Sequence, residues 1–247
     1  MFRHKGKNRT LKHNLRIAVL LSFVAGIVNV AGFLAVQQLT TNVTGHFAFF
    51  VEEIYSLNTW RGLVYFLFVV FFFLGSFTSG WLIEFMTRKN ERYIFLIPVL
   101  IEASILFFVG FCGRFLLDYS PNTIAYLLLF AMGLQNSLVT MISNSVVRTT
   151  HLTGLFTDLG IEMAQLFFNY KSIERRKRLI QSIELRSSII LFFFIGGILS
   201  ALFYSSIQLY VVVFAGFLLL FGLIYDQIRL HYNRMKRKIH HKKSPVQ

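Results

Sequence analysis

The sequence predicts an all-α fold: a polytopic membrane protein whose six transmembrane helices form two inverted three-helix repeats. Three observations predict it. The 247-residue chain is 55% hydrophobic and only 15% charged, with 29 phenylalanines and three prolines. It contains six apolar stretches long enough to cross a bilayer, and one eight-residue motif occurs twice in corresponding places. A soluble domain of this size has too little interior to hide so many aromatic rings, and the mean hydropathy of +0.60 agrees. Residues 1–247 read as a single membrane domain, with repeat one over about 15–117, repeat two over about 122–229 and a basic tail over 230–247.

A hydrocarbon core of about 30 Å takes about 20 apolar residues in a helix. The first span, 15–39, follows basic residues as a signal peptide would, but its apolar run exceeds the roughly 7–15 residues of a signal core and it contains Asn29. It is read as a retained helix. The second and third spans are 60–84 and 93–117, and the fourth, 122–147, carries Gln135 and Asn136. The fifth, 187–205, and the sixth, 208–229, are separated only by Tyr204-Ser205-Ser206-Ile207-Gln208, so they are antiparallel neighbours.

The formal charge of +14 raises nucleic-acid binding, and the distribution of the charge argues against it. Lysine and arginine in short loops stay on the cytoplasmic side. With the N-terminus inside, 23 of the 25 basic residues are cytoplasmic, and only Arg61 and Arg114 lie outside. The localisation read from this is a cell (inner) membrane, multi-pass, with both termini cytoplasmic. The basic segments, including the tail from Arg229 to Lys243, are suited to anionic lipid headgroups, so the bilayer is the expected partner and nucleic acid is not. The His240-His241 pair within that tail reads as part of a disordered segment.

Residues 40–47 read TTNVTGHF and residues 149–156 read TTHLTGLF, identical at five of eight positions. Gly26 and Asn29 before the first motif correspond to Gly133 and Asn136 before the second. Glu53 and Glu162 each follow the second threonine, Thr44 or Thr153, by nine residues. In the second span Gly75, Ser76, Ser79 and Gly80 match Gly196, Gly197, Ser200 and Ala201 in the fifth. Such spacing puts small residues on one face for close helix approach, and these faces of spans two and five are where a homo-oligomer would form. In register, the likenesses indicate a duplicated unit. Because three crossings is odd, the second copy is upside down, which is a recurring architecture of secondary transporters.

Each motif breaks a helix, and the hydroxyl of Thr44 or Thr153 is placed to cap the segment that follows. After Thr44 the apolar run 45–57 is too short to cross, so it is a re-entrant half-helix or lies at the outer interface. After Thr153 the segment to about Ile180 ends in KSIERRKR, with Asp158, Glu162, Gln165 and Asn169 on one face. It is an amphipathic interfacial helix or the lining of a cytoplasmic vestibule.

Polar groups inside a bilayer are costly and are candidates for function, although many only join helices. Candidate substrate-binding residues are Asn29, Thr41, Thr44, Gln135, Asn136, Thr150 and Thr153, the amides being placed at similar depth for one shared site. Candidate proton-coupling residues are Glu102, the only acid deep in a span, with Asp158 and Glu162. Desolvation favours the neutral form of such an acid unless a cation or amide compensates. His46 and His151 have no ligand-spaced companion, so no metal site is expected, and both read as surface or interfacial side chains. Asn42-Val43-Thr44 fits a glycosylation pattern but sits against the membrane. No HExxH, GxSxG, P-loop or GxGxxG stands in a competent context, and a single cysteine, Cys112, excludes an intrachain disulfide. An enzyme and a cofactor are therefore not expected.

At these residues the chain resembles the YoaK-like family, bacterial integral membrane proteins that form a domain of unknown function. The likeness runs from about Ile17 to Ile228 and is strongest over AMGLQNSLVTMISNSVVRTTHLTGLFTDLG, residues 131–160. Family members usually carry an acid where this chain has Asn29, and Thr-Gly-Asn where it has Thr44-Gly45-His46. The resemblance implies six helices in a plasma membrane and no substrate. Two functions follow from the sequence: a secondary transporter or channel for a small polar or anionic solute, or a non-transporting receptor or assembly factor.

Overall fold

The computed structural model describes residues 11–89, 94–143, 145–168 and 172–243. Among them the fold is all-α: α1 (Leu11–Val36), α2 (Val43–Tyr55), α3 (Thr59–Lys89), α4 (Leu96–Tyr119), α5 (Pro121–Ser143), α6 (Leu152–Phe168), α7 (Ile173–Ile207) and α8 (Tyr210–Lys243). Five helices, α1, α3, α4, α5 and α7, are long and apolar enough to cross a membrane, and the apolar part of α8, Tyr210–Asp226, is shorter. The outward faces agree with a lipid surround. Phe73, Phe77 and Trp81 on α3, Leu191, Ile198 and Leu202 on α7, and Phe214, Phe217 and Phe221 on α8 are all exposed, a far larger apolar area than water-facing proteins carry.

The core is built on α1 and α5. Ile17, Leu21, Val24 and Val28 of α1, and Ile124, Leu128, Met132 and Leu138 of α5, have no more than traces of exposed surface. The closest helix crossings follow one pattern. Helix α7 lies against α1 with Gly26 on the Phe193 carbonyl and Gly196 on the Phe23 carbonyl; α3 lies against α5 with Gly133 on the Phe72 carbonyl and Gly75 on the Phe130 carbonyl. Serine hydroxyls reinforce both contacts: Ser200 donates to the Ile27 carbonyl and Ser76 to the Gly133 carbonyl, each at 3.1 Å. Helices α4 and α8 meet through Gly110 on Val213 and the Phe107 ring against Phe217, 5.0 Å between centroids. Of the small-residue faces, Gly75 and Ser76 of α3 pack on α5, and Gly196, Gly197 and Ser200 of α7 pack on α1.

Several boundaries differ from the sequence reading. Helix α7 begins at Ile173, so the basic residues of 173–178 head a long helix instead of ending the amphipathic one. Ser172 caps it, its side chain accepting from the Arg175 amide at 3.4 Å. Asn169 of the proposed polar face lies outside the described residues. The turn between α7 and α8 is only Gln208 and Leu209, with Gln208 in the left-handed region at φ 49°. As far as Lys243 the basic tail is helical: α8 runs unbroken to that residue, since no proline or glycine interrupts 223–243. Hydropathy locates apolar stretches, and it is blind to a helix that continues into polar sequence.

Candidate functional site

The two motifs fold back along the helices that precede them. Helix α1 ends where Gln37 takes a left-handed conformation, φ 54°. The chain then returns until the Thr40 hydroxyl donates to the Val28 carbonyl at 3.2 Å and the Thr41 hydroxyl to Asn29 Oδ1 at 2.8 Å. Asn29 stands seven residues before the end of α1, so the returning segment re-enters by about 10 Å at 1.5 Å per residue. At α5 the same event recurs. Ser145 is left-handed, φ 65°, and the Thr150 hydroxyl donates to Asn136 Oδ1 at 2.9 Å, while Asn136 Nδ2 donates to the Met132 carbonyl at 2.9 Å.

Two short helices, α2 and α6, follow these reversals. Helix α2 pairs antiparallel with the start of α3: His46 meets Phe68, Phe49 meets Tyr65 and Phe50 meets Phe66 at centroid separations of 4.8, 5.2 and 5.5 Å. It is a half-length helix packed along α3. Its cap is Asn42, whose side chain accepts from the Gly45 amide at 3.1 Å. Thr44 is not the cap, because it already lies inside the first turn, exposed. Likewise Thr153 lies inside α6, its carbonyl accepting from the Thr157 hydroxyl at 2.9 Å.

Helix α6 is fastened to α7 by charge. Arg186 of α7 reaches Asp158 Oδ2 at 3.0 Å and Glu162 Oε1 at 3.3 Å, and the Ser182 hydroxyl donates to the same Glu162 oxygen at 2.7 Å. Asp158 and Glu162 therefore form one ion-paired cluster. Sequence reasoning counted Arg186 only as a loop charge; acids spaced four apart on an apolar helix were the available signal for a basic partner. His46 is likewise not a surface histidine. It is 1% exposed, its Nε2 lies 2.6 Å from the Leu39 carbonyl, and burial lowers its pKa below the ordinary 6.5 while the Leu39 contact works the other way.

Gln135 Nε2 donates to the Leu21 carbonyl at 3.3 Å, joining α5 to α1. The interior holds polar atoms that have no hydrogen-bond partner among the described residues: Ser22 Oγ, Gln135 Oε1, Ser79 Oγ and both carboxyl oxygens of Glu102, each residue fully buried. Unpartnered buried polar groups are few in folded proteins and call for an explanation. Four cavities of about 330–450 Å3 open elsewhere, and none of the four is lined by Asn29, Glu102, Gln135 or Asn136. Among the described residues, no group of three or more His, Cys, Asp or Glu side chains is arranged to hold a metal ion.

The family described as "Protein of unknown function (DUF1275)" matches residues 17–225. This chain belongs to it. No curated protein and no solved structure matches the chain. In this DUF1275 protein the matched region begins in α1 and ends in α8, so it takes in both motifs, both half-helices and the buried polar interior.

Proposed function

We propose that this DUF1275 protein is a secondary transporter for a small polar or anionic solute, built from two inverted three-helix repeats that make six spans. The resemblance to the YoaK-like family, which covers the same part of the chain, is compatible with this reading. The observation that carries it is the exchange of partners between the halves: α1 crosses α7 on Gly26 and Gly196, as α5 crosses α3 on Gly133 and Gly75. Each half-helix packs on the long helix that follows it, α2 on α3 and α6 on α7. Two such halves rock about a common centre. The half-helix N-termini, with their free N–H groups and partial positive charge, open from opposite sides onto the interior that holds Gln135, Ser22, Ser79 and Glu102. Those unpartnered atoms gain water or solute when either side opens, and Glu102 is the group that carries a proton. Asn29 with Thr41 and Asn136 with Thr150 act as the hinges of the two breaks.

The second reading, a receptor or assembly factor that moves nothing, is favoured by one observation: both asparagine amides are engaged by threonines of their own motifs. Reconstituted protein decides between them. Uptake of a solute panel into proteoliposomes under proton and sodium gradients is expected for wild type, lost in Asn136→Leu, and uncoupled from the proton gradient in Glu102→Gln. Wild-type protein that moves no solute under any gradient sinks the transporter reading.

A further inference from the structure

At the turn joining α7 to α8 the structure holds a cavity of about 330 Å3 between that turn and α4. Its walls carry four polar side chains, Arg114, Ser206, Gln208 and Tyr210, and no acid. All four are exposed, and none has a side-chain hydrogen bond or ion pair among the described residues; Asp118, one turn beyond Arg114, does not reach it. Every one of them offers a donor, and Arg114 is a fixed positive charge. The floor is apolar: Phe111, Leu117, Ile207 and Leu209 complete the lining. Gly113 of α4 packs directly on Leu209, and Gln208 takes a positive φ, 49°.

We infer that this cavity binds a phosphate-bearing anion, and that the anion is the headgroup phosphate of an anionic phospholipid. A set of donors with one guanidinium and no carboxylate selects an acceptor-rich anion, and a guanidinium suits phosphate oxygens geometrically. The apolar floor and the exposed rings of Phe111 (60%) and Tyr210 (54%) beside it favour a ligand with acyl chains over a free ion. Arg114 is also one of two basic residues that the charge distribution leaves off the cytoplasmic side. Assigning the lipid to the outer leaflet rests on the orientation read above, whereas binding itself does not.

Native mass spectrometry of the detergent-purified full chain, titrated with phosphatidylglycerol, phosphatidylcholine or glycerol phosphate, tests the inference. One phosphatidylglycerol is expected to be retained in preference to phosphatidylcholine. Arg114→Gln should weaken that retention about tenfold, the loss expected for one charge-assisted hydrogen bond, while Arg61→Gln should leave it unchanged. Ser206→Ala with Tyr210→Phe, which keeps the arginine, should give an intermediate loss and covers the case in which Arg114→Gln fails to fold. Equal retention by wild type, Arg114→Gln and the double variant overturns the site. Glycerol phosphate competing as well as the lipid, in an Arg114-dependent way, would keep the phosphate chemistry and make the source a soluble anion. Labelling of Ser120→Cys from outside reports the orientation separately, so an inverted topology would move the lipid to the other leaflet without touching the binding result.

Discussion

Gly133→Ala tests the packing on which the bundle depends. A Cβ at Gly133 falls on the Phe72 carbonyl oxygen and 3.0 Å from both the Phe72 carbonyl carbon and the Ser76 amide nitrogen, all backbone atoms of α3 that no rotamer change can move. Non-bonded heavy atoms settle at about 3.5–4.0 Å, so the axes of α3 and α5 have to part by on the order of 1 Å, and a gap of that size forfeits up to half of each flanking contact. Separation also weakens the bond from the Ser76 hydroxyl to the Gly133 carbonyl, now 3.1 Å. Overpacking of this kind costs about 3 kcal/mol, the upper part of its usual range, or about 6–12 °C in melting temperature for a chain of this length. The control is Gly160→Ala, where a Cβ meets nothing within 4 Å. There the change should be neutral or stabilising by up to about 1 kcal/mol, because alanine is the better helix former. Melting temperatures by intrinsic fluorescence in one detergent, with monodispersity after heating as a second readout, make the comparison. If Gly133→Ala melts within a degree or two of wild type, or no lower than Gly160→Ala, the close crossing of α3 and α5 is wrong.

Arg186→Gln leaves two acids on α6 without their cation. With Arg186 and Glu162 mostly buried and Asp158 half exposed, the loss should be about 2 kcal/mol, below the cost of breaking a fully buried pair, and tryptic cleavage in 175–178 should quicken; Asp158→Asn should cost less than half as much. For His46 the folded pKa lies below the unfolded 6.5, so its stabilising contribution is complete above about pH 6.5 and is lost as pH falls toward the folded value. Melting temperature should therefore drop below pH 6.5 in wild type and drop less in His46→Gln; parallel profiles for the two proteins would refute the assignment. With Cys112 replaced by serine, single cysteines at Ser56, Ser120 and Ser206 should react with an impermeant thiol reagent from outside, and one at Ser172 should not; the opposite pattern inverts the orientation.

Composition and hydropathy made the apolar helices legible, because burial in lipid demands runs of one kind of residue. The repeated motif marked both chain reversals for a local reason: a break needs threonines and asparagines close together in sequence to satisfy the backbone. What escaped was long-range. Nothing near Gly75 or Gly196 says whether a small-residue face awaits another subunit or another helix of the same chain. Nothing near Arg186 distinguishes a loop charge from the partner of Asp158, 28 residues earlier. The caps were misread for a simpler cause: Asn42 and Thr44 are both good capping residues, and only the position of the first helical turn separates them.

The contact between α1 and α7 bears on how the protein is made. Ser200 hydroxyl and Ile27 carbonyl are bonded across 173 residues of chain, and a ribosome adding about 5–20 residues per second takes roughly 10–30 s to supply the second partner after the first. During that interval the groove at Gly26 in α1 has no helix to fill it, and lipid chains or the insertion machinery must shield it. Helix α3 is in the same position until α5 emerges, although its wait is shorter. An amino-terminal fragment released after α4 would thus lack the partner of α1 altogether and be exposed to membrane proteases, whereas supplying 121–247 as a second polypeptide in the same membrane should rescue it.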